Sequence, residues 1–289
     1  FFHLRFSVDW PYIDYNIFRA YDIRGKYPDT INANVAYIVG KGYGSYIQEK
    51  LGKNTCVVSH DNRLSSEELT NALIKGITES GCNVINYGLT TTPMNYYARY
   101  LNNMLGIMVT ASHNPKEYNG FKCYDETGAQ LLPNESKKII DFLPSWKEVL
   151  DNKIKINFNP RIVPKLFINK YFNDVLRSLI KTKCSPKYLN LVYSSMHGTA
   201  SNYMSNFLKK LGYTCIDLAS QNYPDPNFTN AKICNPEDPR SLEDAINFAN
   251  IVNSNIVLAS DPDADRLAIV IKKDNEWVFL NGNQAKTQK

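Results

Sequence analysis

The sequence predicts an α/β fold of two consecutive three-layer α/β domains with mixed, mostly parallel sheets. Strand-like and helix-like hydrophobic periods alternate along the chain, which is the pattern of right-handed βαβ units. The alternation breaks once, at Asp151-Asn152-Lys153 and Asn157-Phe158-Asn159-Pro160, and then restarts. A chain of 289 residues is long enough for two such domains.

The first domain is expected over residues 1–155. Val35, Ile38, Val39, Tyr43, Tyr46, Ile47 and Leu51 follow helical spacing, with Gly52 as a C-cap. Thr55-Cys56-Val57-Val58-Ser59 reads as a buried strand. Ser65 and Glu68 have capping-box spacing ahead of Leu69, Leu73, Ile74 and Ile77, and Gly81 closes that helix. Asn83–Tyr87 and Leu105–Val109 read as further strands, and Phe18–Gly25 as a turn-like stretch.

The second domain is expected over residues 156–278. It reads as a helix near 165–180, a strand at Leu191–Ser194, a helix at Asn202–Leu211 and a strand at Thr214–Leu218. A Pro- and Asn-rich loop, Tyr223–Pro236, precedes a helix near Leu242–Ala249. Strands follow at Ile256–Ala259, Leu267–Ile271 and Trp277–Leu280. Residues 279–289 are read as the opening of a third domain or a tail.

Composition narrows the function classes. The chain is 43% hydrophobic and 21% charged, ordinary for a globular protein. Its net charge of +5 is too weak to point to nucleic acid, yet suits small anionic substrates. The six cysteines form no Cys-x-x-Cys pair, which argues against zinc or thioredoxin-type chemistry and fits free thiols in a reducing cytoplasm. No run reaches the ~20 apolar residues of a membrane span. Sequons occur at Asn134 and Asn227, as expected by chance in an Asn-rich chain.

Two motifs follow apolar strands. In Thr110-Ala111-Ser112-His113-Asn114-Pro115, Ser112 sits where open α/β sheets bind ligands, at the carboxyl end of a strand. The flanks Ala111 and His113 do not fit the Gly-x-Ser-x-Gly elbow of a Ser-His-Asp hydrolase. In Asp261-Pro262-Asp263-Ala264-Asp265-Arg266, three carboxylates alternate and can converge on one divalent cation. Oxygen-only donors favour Mg²⁺ or Mn²⁺ over zinc. An EF-hand is excluded, because its sixth and twelfth positions would be Arg266 and Lys272 rather than Gly and Glu. Arg24, Lys122 and Arg266 supply positive charge for a transferring group. His197 lies in a strand-to-helix turn, where it can serve as a structural turn residue or meet an anion.

Taken together, Phe18–Gly25, Thr110–Pro115 with Gly120-Phe121-Lys122, and Asp261–Arg266 resemble the motifs of the α-D-phosphohexomutase family, the phosphoglucomutases and phosphomannomutases, in order and in spacing. The resemblance runs from about Phe18 to Asn283. It implies four α/β domains around a cleft, of which this chain carries the first two, with residues 279–289 as the opening of the third or a tail. It implies that Ser112 is phosphorylated, and that Asp261, Asp263 and Asp265 hold one Mg²⁺ with a Ser112 phosphate oxygen. Arg24, His113, Lys122 and Arg266 would line the phosphoserine, with Lys122 or His113 shuttling protons. The implied reaction interconverts hexose 1- and 6-phosphates through a 1,6-bisphosphate, with glucose 1,6-bisphosphate as activator.

This chain departs from the family in carrying Pro262 and Ala264 where many members have glycine. The third-domain sugar-reading loop and the fourth-domain phosphate-gripping loop are not within it, so mutase turnover by these residues alone is not expected. Tyr21–Gly25 leans toward dual glucose/mannose members, and the acidic loop toward glucose- and pentose-type branches. Two alternatives stay open. One is a haloacid-dehalogenase-like phosphatase with Asp261 as nucleophile and Asp263 as acid. The other is a non-catalytic sugar-phosphate-binding module.

Overall fold

A computed structural model describes residues 13–124, 129–131, 138–144, 164–178, 189–280 and 282. The expected domain boundary near 151–160, the Asn134 sequon, Cys184 and residues 283–289 lie outside the described residues.

The first sheet is built from β1 (Ile23–Lys26), β2 (Thr55–His60), β3 (Asn83–Leu89), β4 (Leu105–Val109) and β5 (Tyr118–Tyr124), in the order β1-β5-β4-β2-β3. β3, β2 and β4 run parallel, whereas β4/β5 and β5/β1 are antiparallel. Among the described residues it is covered by helices α1 (Ala33–Leu51), α2 (Ser66–Glu79) and α3 (Thr92–Asn102). The period-2 alternation of β2 divides the two faces. Cys56 and Val58 enter the core with α1 and α2, and Val57 packs with Met94 and Ala98 of α3 on the other side.

The second unit repeats the scheme. It contains β6 (Asn190–Ser194), α5 (Met204–Lys210), β7 (Thr214–Asp217), α6 (Glu243–Ile251), β8 (Ile256–Ser260), β9 (Leu267–Lys273) and β10 (Glu276–Leu280). The sheet order is β10-β9-β8-β6-β7, again with two parallel and two antiparallel pairings among the described residues. Val257 and Ala259 of β8 face α6, and Ile256 and Leu258 face the α5 side. Both sheets are therefore mixed and covered on two faces. α4 (Lys165–Ser178) joins the units: Phe167 packs on Tyr87 and Tyr97, and Phe172 on Phe207.

Local signals explain most boundaries. Asn32 caps α1 by accepting from the Val35 N–H at 3.1 Å, a contact worth about 1 kcal/mol. Gly52 ends α1 in the left-handed region at φ 60°. The expected capping box at Ser65 does not form, because Ser65 makes no side-chain cap bond. Its hydroxyl instead accepts from Asn119 Nδ2, and Glu68 accepts from the Tyr27 hydroxyl.

Three elements were not expected. Phe18–Gly25 contains the start of β1 rather than only a turn, and β5 and α3 carry no clear sequence period. Gly120 lets β5 approach β1, since a Cβ there would lie 2.1 Å from the Ile23 carbonyl oxygen. Helix α5 begins at Met204, after a 3₁₀ turn at Thr199–Asn202. The five described cysteines are buried and unpaired. No helix among the described residues is long and apolar enough to cross a membrane.

Candidate active site

The carboxyl ends of β2, β4, β6 and β8 bring the polar loops of both units to one place. After β4 the chain turns at Ser112, which is 2% exposed and sits in the left-handed region at φ 53°. A non-glycine residue there costs on the order of 1 kcal/mol. The loop is held against that cost. Ser112 N–H donates to Thr110 Oγ1 at 2.8 Å, and Asn114 N–H to the Ala111 carbonyl at 3.1 Å.

The strongest support comes from Arg63, just beyond β2. Its guanidinium donates to the carbonyls of Ser112, Asn114, Pro115 and Tyr118 at 2.7, 2.7, 2.8 and 3.0 Å. Its Nε donates to Asp61 Oδ2 at 3.1 Å, with both side chains fully buried. Asp61 Oδ2 also accepts from Thr110 Oγ1 at 2.7 Å. This buried pair is well satisfied by hydrogen bonds, the condition under which burying charge is tolerable.

The acidic loop follows β8. Ala264 adopts φ 63°, and its N–H donates to the Asp261 carbonyl at 2.9 Å, which curls the loop. Thr199 clamps the loop through two bonds to the Pro262 carbonyl, from N–H at 2.8 Å and Oγ1 at 3.0 Å. Gly198 lies so close that a Cβ would be 2.4 Å from Pro262 Cα.

These loops place most of the expected residues together. Ser112 Oγ donates to Asp261 Oδ2 at 2.8 Å, across 149 residues of sequence. Asp261 Oδ1 accepts from the Arg266 N–H at 3.0 Å. Lys122 Nζ donates to Asp263 Oδ2 and Asp265 Oδ2, each at 2.6 Å. His113 Nδ1 lies 3.4 Å from Ser112 Oγ. Ligand atoms of Asp261, Asp263 and Asp265 all fall within 4.8 Å of one another.

The two arginines stand further off. Arg24 Nη1 donates to Asn114 Oδ1 at 2.9 Å, and its other end pairs with Asp22. The Arg266 side chain is 36% exposed and lies 3.5 Å from Glu237. Among the described residues neither guanidinium hydrogen-bonds Ser112.

Burial, with Asp263 and Asp265 beside it, pushes Asp261 well above the usual carboxylate range. Burial would raise Asp263 too, but the Lys122 charge and the donors on its oxygens hold it well below. Burial and Asp263 raise Asp265 against the pull of Lys122. Burial also works against the Lys122 ammonium, yet the two aspartates more than reverse it and keep Lys122 charged. His113 is pushed down to about 4, by burial first and then by Arg266 and Arg24. It is neutral at pH 7.

The residues fit a small divalent cation on structural grounds. The donors are all oxygen, as Mg²⁺ prefers. Asp263 Oδ1 is buried without a hydrogen-bond partner, an arrangement that is costly unless a cation takes it up.

Asp61, Arg63 and Thr92 were not among the residues expected from sequence. Asp61 and Arg63 follow an apolar strand, as Ser112 and Asp261 do, and that position is the signal that could have found them. Thr92 donates from Oγ1 to Asp263 Oδ2 at 2.8 Å, and lies in Thr90-Thr91-Thr92-Pro93 after β3.

His197 takes the structural alternative. It is fully buried, with Nε2 accepting from the Asn230 N–H at 3.1 Å and Nδ1 3.2 Å from the Tyr223 carbonyl. Its own carbonyl accepts from Asn62 Nδ2 at 2.8 Å, a further tie between the units. A cavity of about 550 Å³ opens beside His113, with Lys116, Lys232 and Thr229 in its walls. The acidic-loop carboxylates are not among its walls.

Comparison with known proteins places the chain in a family. Residues 15–149 match the family described as phosphoglucomutase/phosphomannomutase, alpha/beta/alpha domain I, and residues 169–275 match alpha/beta/alpha domain II. A phosphomannomutase of Mycoplasmoides pirum is 36% identical over 88% of this chain and 48% of its own length. A phosphoglucomutase of Staphylococcus haemolyticus is 30% identical over 90% of this chain and 49% of its own. Among solved structures, a phosphoglucomutase/phosphomannomutase family protein from Burkholderia thailandensis superposes with a TM-score of 0.73 at 30% identity, over 91% of this chain and 56% of its own. The chain thus spans about half the length of the curated relatives it matches.

Proposed function

The chain belongs to the phosphoglucomutase/phosphomannomutase family, and on that premise we propose that it forms the phosphoserine and cation-binding half of a phosphohexomutase. The reaction would interconvert hexose 1-phosphate and hexose 6-phosphate, of glucose, mannose or both. The observation that carries the reading is the 2.8 Å bond from Ser112 Oγ to Asp261 Oδ2, which puts the hydroxyl on the edge of the carboxylate cluster.

In this reading Ser112 carries the phosphoryl group. The bond from phosphorus to Ser112 Oγ breaks as a bond to a sugar hydroxyl oxygen forms. The hydroxyl proton leaves, and Ser112 Oγ gains one. The resulting 1,6-bisphosphate then returns its other phosphoryl group to Ser112. Added glucose 1,6-bisphosphate would load the serine by the same step and so act as activator.

Each side chain has a role that follows from its contacts. Asp261, Asp263 and Asp265, with a phosphate oxygen on Ser112, would hold one Mg²⁺. When bound, Mg²⁺ would offset charge on the transferring oxygens. Lys122 stays protonated, orients two of the carboxylates and adds positive charge. His113, neutral and with Nδ1 3.4 Å from Ser112 Oγ, is the better placed proton carrier. Arg24 and Arg266 supply field rather than contact in this form. Lys116 and Lys232, which outnumber Glu117 beside the cavity, favour an anionic substrate.

The phosphatase alternative is less well supported. Both oxygens of Asp261 are engaged, by Ser112 and by the Arg266 N–H, which suits a ligand better than an attacking nucleophile. Incubation with glucose 1,6-bisphosphate and Mg²⁺, followed by phosphopeptide mapping, separates the readings. Acid-stable phosphate on Ser112 is expected. An aspartyl phosphate in the acidic loop would favour the phosphatase, and no phosphate at all would favour a binding module.

A further inference from the structure

Thr92 is the first residue of α3, with Thr91 as its cap and Pro93 next in line. It belongs to the first unit, yet it grips the acidic loop of the second at two points. Its N–H donates to the Asp263 carbonyl at 2.8 Å, and its Oγ1 donates to Asp263 Oδ2 at 2.8 Å. Lys122 Nζ donates to that same Oδ2 at 2.6 Å.

A carboxylate oxygen offers about two lone-pair positions. Thr92 and Lys122 therefore fill Oδ2. The other oxygen, Oδ1, is left buried and without a partner. Rotation of the Asp263 carboxylate would exchange the two oxygens, and the terminal torsion of an aspartate is intrinsically broad. A single ammonium on a flexible stem is a poor lock against that rotation. The Thr92 hydroxyl is a better one, because its own backbone is bonded to the Asp263 carbonyl and both residues are fully buried.

We propose that Thr92 is a positioning residue that fixes the Asp263 carboxylate so that Oδ1 is the oxygen presented to a divalent cation. This rests on the cation-site reading given under Proposed function. The inference also gives the junction between the units a task. The cation site would be complete only when the start of α3 is seated against the acidic loop.

The test is calorimetric titration of Mg²⁺ into the whole chain, in four forms: unmodified, Thr92→Val, Thr92→Ser and Thr92→Ala. Valine keeps the branched shape and the backbone bond but lacks the hydroxyl. Loss of a partner that orients a metal ligand typically weakens metal affinity about 10-fold or more. That loss is expected for Thr92→Val and Thr92→Ala, with Thr92→Ser recovering most of the affinity. Thermal melting of each form without Mg²⁺ reports any structural effect separately, and alanine serves if the valine variant does not fold. Thr92→Val or Thr92→Ala binding Mg²⁺ as tightly as the unmodified chain would overturn the inference. So would a serine variant as weak as valine. Failure of the unmodified chain to bind Mg²⁺ would remove the cation-site reading, and this inference with it.

Discussion

Arg63 holds Ser112 by its backbone: Nη2 donates to the Ser112 carbonyl at 2.7 Å, while three neighbouring carbonyls take the other bonds from Nη1 and Nη2. The serine's left-handed backbone is thus stabilised by a side chain from a different strand end. Asp61 completes the arrangement by neutralising Arg63 in full burial.

Arg63→Met should therefore be strongly destabilising. It strands Asp61 without its cation and removes a donor from each of four carbonyls, of which Pro115 keeps a second one, from the Tyr118 N–H at 3.0 Å. Removing one partner of a buried pair typically costs about 3–5 kcal/mol. Urea unfolding of the two proteins measures this. Arg63→Lys keeps the charge but not the fork, so it should recover only part of the loss. A methionine variant as stable as the parent would show that the serine turn does not depend on Arg63.

Asp263→Asn addresses the cation directly. The amide retains the shape and one acceptor oxygen but removes a ligand charge. Mg²⁺ affinity should fall by about 10-fold or more. The fold should survive, since Lys122 keeps its bond to Asp265. Titration calorimetry and a melting curve check both halves. Unchanged affinity would remove the acidic loop from the proposed site.

His113 predicts a pH dependence for the metal-free, unphosphorylated chain. Its folded-state pKa is lowered from 6.5 to about 4 by burial first, then by Arg266 and Arg24. Between these values the unfolded chain binds the proton and the folded chain does not. The contribution is thus present above 6.5 and is lost as pH falls from 6.5 toward about 4. Substituting His113→Asn should flatten that part of the stability-against-pH profile. A profile that keeps its slope there in the variant would assign the dependence to other groups.

The residues that were legible in the sequence are those that follow strong strands. Val57, Val58, Ile107, Met108 and Val257 give continuous apolar runs, and polar loops after such runs are conspicuous. Ser112 and Asp261 stood out for this reason, and they meet in the fold. β1 and β5 were less visible because Arg24, Asn119, Gly120 and Lys122 interrupt any period. Two of these residues serve the site and one, Gly120, is needed for close strand approach. The Ser65–Glu68 spacing suggested a capping box, but Asn119 and Tyr27 recruit those side chains from distant parts of the chain. Long-range partners of this kind override a local pattern. Thr92 was hidden for a similar reason, since its importance rests on a contact 171 residues away.

In the proposed function Ser112 and the three aspartates form one phosphoryl-transfer site around a shared divalent cation. Phosphorus NMR of the Ser112-phosphorylated chain, titrated with Mn²⁺ in place of Mg²⁺, tests whether the cation sits beside the phosphate. The phosphoserine signal is expected to broaden sharply as one equivalent of Mn²⁺ binds, and Asp263→Asn to remove most of the effect at the same Mn²⁺ concentration. A phosphoserine signal that stays sharp while Mn²⁺ is bound would place the cation away from Ser112 and rule out a shared site.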